Sequence, residues 1–171
     1  MYTIYVDGRL LYAPNLAEDG YAVTGPKVKL SLNSVSALEC TVPTTNPLYG
    51  AVSKLKSVVK VYDNDRRIFR GRVIDNEKDF YNREKLTAQG ELAYLNDSIL
   101  RPYNYTGSVA GYFSMLVNQH NSQVDAEKQF RVGNVTVTDG NDYIVRGSTE
   151  AMKTWSEMKS KLLDLLGGYI V

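Results

Sequence analysis

The chain has 171 residues, 43% of them hydrophobic, and a formal net charge of +1. That length holds one ordinary domain or two small ones, and the apolar share supports a packed core. The near-zero charge argues against a dedicated nucleic-acid-binding domain, which carries a clear basic excess.

The first hundred residues read as β-rich. YTIYV and RLLYA flank Asp7-Gly8, a pair suited to the left-handed positions of a type I′ hairpin turn. Residues 27–32 alternate, with Val28, Leu30 and Leu32 on one face, and Leu38, Cys40 and Val42 repeat the pattern. Pro43 stops that strand, and Asn46-Pro47 opens PLYGAVSKL, which reads as a short helix with proline near its first position. Strands are expected at 58–62, 68–74 and 85–89, joined by short turns, the pattern of a small barrel or sandwich.

The character changes near residue 100. Ser108 is placed to cap a helix through VAGYFSMLVNQHN, with Val109, Phe113, Leu116 and Val117 on one stripe. Residues 130–138, FRVGNVTVT, alternate as a strand, and YIVR returns after a turn at 139–142. Thr154 and Glu157 have capping-box spacing before a helix at 155–166 that carries Trp155, Met158, Leu162 and Leu165/Leu166 and ends at Gly167. Tyr169-Ile170-Val171 reads as the start of a strand that needs a sheet, so the chain is expected to be the N-terminal piece of something longer, or to have been cut there.

Little of this carries chemistry. Cys40 is the lone cysteine, so no intrachain disulfide and no cysteine-built zinc site is expected; the default compartment is a reducing cytoplasm, or a particle assembled there. No apolar run reaches the roughly 18 residues of a membrane span. DNDRRIFRGRV (63–73) begins like a calcium loop, but Arg67 and Ile68 occupy its fifth and sixth positions, where a ligand and a glycine belong. Strict alternation would align Arg66, Ile68, Arg70 and Arg72 on one face and place Arg67, Phe69, Gly71 and Val73 on the other. Asp63 and Asp65 then read as turn residues. His120, the only histidine, lies at a polar helix end, where the helix dipole alone favours it. Catalytic, cofactor and metal residues are therefore expected to be none.

Four stretches in this order resemble the N-terminal hub region of siphophage and prophage tail-tip proteins, the tail endopeptidase or tail-associated lysin family. They are VPTTNPLY (42–49), VVKVYDNDRRIFRGRV (58–73), GELAYLNDSILRPYNY (90–105) and TWSEMKSKLLDLLGGYIV (154–171). That family's hub is similar to the baseplate hub of contractile-tailed phages, a trimeric ring that continues the tail tube. The resemblance implies an α+β fold, with a β-rich barrel-like tube domain followed by a smaller helix-plus-strand region. It implies a tube domain over 1–100, a decorating region over 101–150 and the start of a second, truncated tube domain over 151–171. Asn46, Pro47 and Tyr49 would fix the entry to the short helix. Phe69 and Val73 would pack in the barrel, and Gly71 would allow close approach or a bulge. Gly90, with Tyr94 after it, would lead out of the barrel through a helical turn.

The implied partners are further copies of the chain (a trimer), the distal tail protein and the tape-measure protein. DNA would pass without sequence-specific binding, no membrane is implied, and the place is the virion tail tip after assembly in the host cytoplasm. No catalytic residue is carried over. The competing expectations are the non-catalytic N-terminal part of a tail-associated peptidoglycan hydrolase, and a carbohydrate-binding β-module.

Overall fold

The computed structural model describes residues 1–170, so the last residue of the expected 169–171 strand, Val171, lies outside the described residues. Strand takes 36% and helix 22% of the chain, which makes the fold α+β with a β majority. The chain divides into two compact units, Met1–Glu91 and Leu92–Val171.

The first unit is a seven-stranded antiparallel sheet curled into a half-barrel. Its strands are β1 (Tyr2–Val6), β2 (Arg9–Tyr12), β3 (Thr24–Lys29), β4 (Ala37–Val42), β5 (Val58–Asp63), β6 (Arg66–Lys78) and β7 (Glu84–Gly90), in spatial order β2-β1-β5-β6-β7-β4-β3. Asp7 and Gly8 both take positive φ, as the Asp-Gly turn between β1 and β2 requires. Alternation delivers one face of each strand to a single core: Ile4 and Val6, Leu38, Cys40 and Val42, Val59 and Val61, Phe69 and Val73, Leu86 and Ala88. The long β6 shifts register twice, opposite Val61/Tyr62 and at Val73/Asp75. Each shift inserts a residue, bends the strand and adds twist, which curls the sheet.

Two expectations in this unit need correction. β3 begins and ends earlier than residues 27–32, and Leu30 and Leu32 are 57% and 70% exposed, because pairing with β4 stops at Lys29↔Ala37. Residues after Pro47 form successive turns instead of a helix. Asn46, Tyr49 and Ala51 donate backbone hydrogen bonds to the carbonyls of Pro43, Asn46 and Leu48, and Gly50 at φ +71° diverts the chain before a helical turn can propagate.

In the second unit the main helix, α1 (Val109–Asn121), is capped as expected: Ser108 Oγ accepts from the Gly111 backbone N–H at 3.1 Å. Two short ladders accompany it, β8 (Ile99–Leu100) with β11 (Met152–Lys153), and β9 (Tyr103–Gly107) with β10 (Ile144–Ser148). The helical run over 154–166 consists of α2 (Thr154–Met158), a π-type turn (Lys159–Leu163) and α3 (Asp164–Leu166), and Gly167 leaves it at φ +74°. Val109, Tyr112, Leu116 and Val117 share one core with Met158 and Leu162. The chain divides between 91 and 92, and within Leu92–Val171 the helices from the segments expected over 101–150 and 151–171 bury their apolar stripes together. Residues 129–139 form no strand: the run has no turn or bend, but it has no ladder partner either. Tyr169 and Ile170 likewise lie outside any strand.

Candidate functional site

In the first unit the residues of interest surround the β5–β6 hairpin. Asn64 supplies the left-handed position of its two-residue turn at φ +50°, and its side-chain oxygen accepts from the N-terminal ammonium at 2.7 Å. Asp63 Oδ1 takes the same ammonium at 3.2 Å. Among the described residues no three His, Cys, Asp or Glu side chains are grouped as metal ligands would be.

The register corrects the expected arginine stripe. Opposed residues of an antiparallel pair point to the same face. Val61 opposes Phe69, but Tyr62 opposes Arg67, so Ile68 is the inserted residue, and it packs against the core. Arg67, not Arg66, therefore joins Arg70 and Arg72 on the outer face, opposite Tyr62, Lys60 and Val58. Arg66 is displaced to the exposed hairpin end beside Asp63. Arg70 makes a short charge-assisted hydrogen bond to Glu91, which offsets part of the basic character of the stripe.

The core side matches its expectation. Phe69 is 4% exposed and Val73 fully buried. Gly71 opposes Gly90 on β7, and a Cβ at Gly71 would lie 2.0 Å from the Gln89 carbonyl oxygen. Only glycine permits that backbone approach. Gly90 donates its N–H to Ser36 O at 2.7 Å and is followed by a 3-10 turn, Glu91–Asn96. Within that turn Tyr94 is buried in the second unit, 6.5 Å from the Phe130 ring.

Asn46 is a fastener. Its amide nitrogen donates to Leu11 O and Ala22 O, both at 2.9 Å, and its side-chain oxygen accepts from Leu48 N at 2.9 Å. Three otherwise separate segments meet on one buried side chain. Pro47 stays exposed beside it, and Tyr49 reaches away to donate its hydroxyl to Asn82 O at 2.6 Å. Glu84, 1% exposed, is held similarly by the Gly50 N–H and the Asn76 amide. Cys40 is buried, and burial, followed by the nearby Glu84, pushes its thiol up to about 12, so thiolate chemistry is disfavoured.

The β6–β7 hairpin tip carries a feature that sequence reasoning missed. Phe80 and Tyr81 are 97% and 72% exposed, edge to face at 5.4 Å. Asp79 organises the loop by accepting from the Tyr81 and Arg83 backbone N–H groups and pairing with the Arg83 guanidinium, which holds its carboxyl below the usual range. Two adjacent aromatics followed by asparagine, between charged residues, were the available signal.

The second unit holds two buried polar constellations. Ser98, His120 and Thr154 are all fully buried. His120 Nε2 faces the Lys128 carbonyl at 3.0 Å and must donate to it, so in the neutral ring Nδ1 accepts from Ser98 Oγ at 2.7 Å. Thr154 Oγ1 then donates to Ser98 Oγ at 2.7 Å, and the Thr154 N–H to Ser98 O at 3.1 Å. Though a serine and a histidine are paired, burial keeps substrate from the hydroxyl, and the second ring nitrogen is committed to backbone. The trio fastens the end of α1 to the start of α2.

This replaces two expectations. His120 is a core residue rather than a dipole-facing surface residue, and Thr154 spends its hydroxyl on Ser98 instead of capping its helix. Glu157, the other half of the expected capping box, is also fully buried: Oε1 accepts from Tyr103 at 2.5 Å, Tyr103 is joined in turn to Tyr112, and Oε2 has no hydrogen-bond partner. Burial first, and then the hydrogen bond to Glu157, raises the Tyr103 hydroxyl. Burial pushes Tyr112 up to about 12.

Beside this core, a cavity of about 240 Å³ is lined by apolar side chains including Phe113, Phe130, Val135, Val137, Leu162 and Ile170. No helix among the described residues is long and apolar enough to cross a membrane. No protein-family model matches the chain, and no curated protein matches it.

Proposed function

We propose that the chain is a structural tail-tip hub protein of a phage or prophage, part of a trimeric ring that continues the tail tube and joins it to distal host-recognition or lytic parts. The observation that carries the reading is the curled seven-stranded sheet, in which Phe69, Gly71 and Val73 serve packing and close strand approach, while Arg67, Arg70 and Arg72 of β6 share its other face. Residues that sequence reading singled out for chemistry are occupied structurally: Cys40 in the sheet core, His120 between Ser98 and the Lys128 carbonyl. Rings need repeated interfaces between copies, and exposed Tyr2 on β1 and the outer β6 face offer such surface.

Solution mass together with negative-stain imaging of the full natural chain tests this. Ring particles of trimer mass with a central opening are expected; a chain that is strictly monomeric and forms no rings overturns it. One observation favours a second reading, a carbohydrate-binding β-module: the exposed Phe80–Tyr81 pair at the hairpin tip presents aromatic faces on which a sugar ring could stack. Glycan binding that is abolished by Phe80→Ala would support that reading over the hub.

A further inference from the structure

The apolar cavity of about 240 Å³ in the second unit is a space that the unit's own side chains leave unfilled. Phe113 and Val117 of α1 line it together with Leu162 and Leu166, and all four belong to the unit's apolar cluster. Val135 and Val137 also line it, yet neither is among the side chains packed on that cluster. Apolar walls held apart in this way forgo dispersion contacts that a matching apolar guest would restore. An apolar cavity of about 150 Å³ is already large enough to take up benzene. At about 30 Å³ for each methylene-sized group, this one has room for roughly eight carbons. Arg131, Asn134 and Tyr169, which line it too, are exposed, so the cavity opens to solvent on their side.

We infer that the cavity binds a small amphipathic monocarboxylate, with an apolar tail of roughly eight carbons inside and its carboxylate at Arg131. Among the described residues that line the cavity, Arg131 alone is charged. It makes no ion pair with another described residue, and no acidic side chain lines the cavity to compete for it. A guanidinium offers two parallel N–H donors to a carboxylate, a geometry that a neutral alcohol cannot use and that an ammonium opposes by like charge. No hydrogen bond ties residues 131–138 to another described residue, so the wall that carries Val135 and Val137 can shift to admit a tail without breaking one. The inference does not rest on the hub reading.

Isothermal titration calorimetry of the chain with sodium octanoate, butyrate, octanol and octylammonium tests it. Octanoate is expected to bind one per chain with a Kd on the order of 1 mM or tighter, which is within reach of about ten non-hydrogen atoms. Butyrate, with too little tail, and octylammonium, with the wrong charge, should each bind at least about tenfold more weakly. Arg131→Glu should weaken octanoate at least about tenfold and leave octanol as in the wild type. Val135→Trp, which fills the cavity from the wall without hydrogen bonds, should abolish both. Far-UV circular dichroism and melting report whether each variant is folded; Arg131 is exposed, so Arg131→Glu is expected to fold as the wild type and decides the matter by itself. Absence of saturable octanoate binding up to about 10 mM overturns the site. So does octylammonium binding as tightly as octanoate, Arg131→Glu binding octanoate as the wild type does, or folded Val135→Trp retaining it.

Discussion

The two units bury polar side chains for different purposes. In Met1–Glu91 the core between the strands is apolar, and Asn46 and Glu84 sit where irregular chain must be tied to the sheet. In Leu92–Val171 the polar groups lie among the core side chains themselves, as Ser98–His120–Thr154 and Tyr103–Tyr112–Glu157. A long antiparallel ladder satisfies its backbone internally and leaves side chains free to be apolar. Among the described residues the second unit has two short ladders and one long helix, so side chains do the fastening. Its architecture therefore depends on matched hydrogen bonds, and the first unit's on packing and backbone approach.

That contrast can be broken most severely at Gly71. Gly71→Val should destabilise the first unit by about 3 kcal/mol or more, since even a Cβ collides with the Gln89 carbonyl. Amide exchange should show the loss concentrated in β5–β7, and a variant as stable as wild type would mean that the close approach is absent. Phe69→Ala, which empties the core rather than crowding it, should cost a similar ~3–5 kcal/mol in urea unfolding.

Asn46→Ala should cost about 2–4 kcal/mol, because two carbonyls and one N–H lose their partner at a buried site. Asn46→Asp should be worse than alanine, because it sets a carboxylate against the two carbonyls; denaturant midpoints of both variants rank them.

In the second unit Tyr103→Phe should cost about 1–3 kcal/mol by leaving the buried Glu157 carboxylate without its donor. The pH dependence sharpens the same point. The Tyr112 hydroxyl is raised from an ordinary 10 to about 12 in the fold. The unfolded chain therefore releases this proton first, so the stability is fully present below pH 10 and lost as pH rises from 10 through about 12. Urea midpoints across that range should fall in the wild type and fall less in Tyr112→Phe.

The smallest effect is expected at Arg66→Ala, within about 0.5 kcal/mol, because that side chain is exposed at a hairpin end. Arg70→Ala should exceed it, through loss of the half-buried pairing with Glu91, and double-mutant analysis with Glu91→Gln isolates that term.

Legibility in the sequence follows the same division. Period-two alternation located the face of β4 and the Phe69–Gly71–Val73 side of β6, because one buried face is all that such strands require. The Asp7-Gly8 turn and the Ser108 cap were readable for the same local reason. The arginine face was misread because a bulge leaves no mark on composition: Ile68 is an ordinary strand residue, and only its partner across the ladder reveals the insertion. Residues 130–138 alternate as a strand does, but alternation reports burial of one face and is silent about hydrogen-bonded edges. His120, Thr154 and Glu157 escaped because each has a respectable local role in a helix end or cap, and Ser98 because it lies in an irregular polar stretch with no local signal. Their partners lie 22 to 56 residues away and come together only in the folded unit.

The proposed hub role is tested most directly by gold labelling with antibody against residues 1–91 on phage or phage-like particles from cells that carry the gene. Label confined to the distal end of the tail tube is the expected result. Label on the capsid, or particles that never carry the chain, would contradict it.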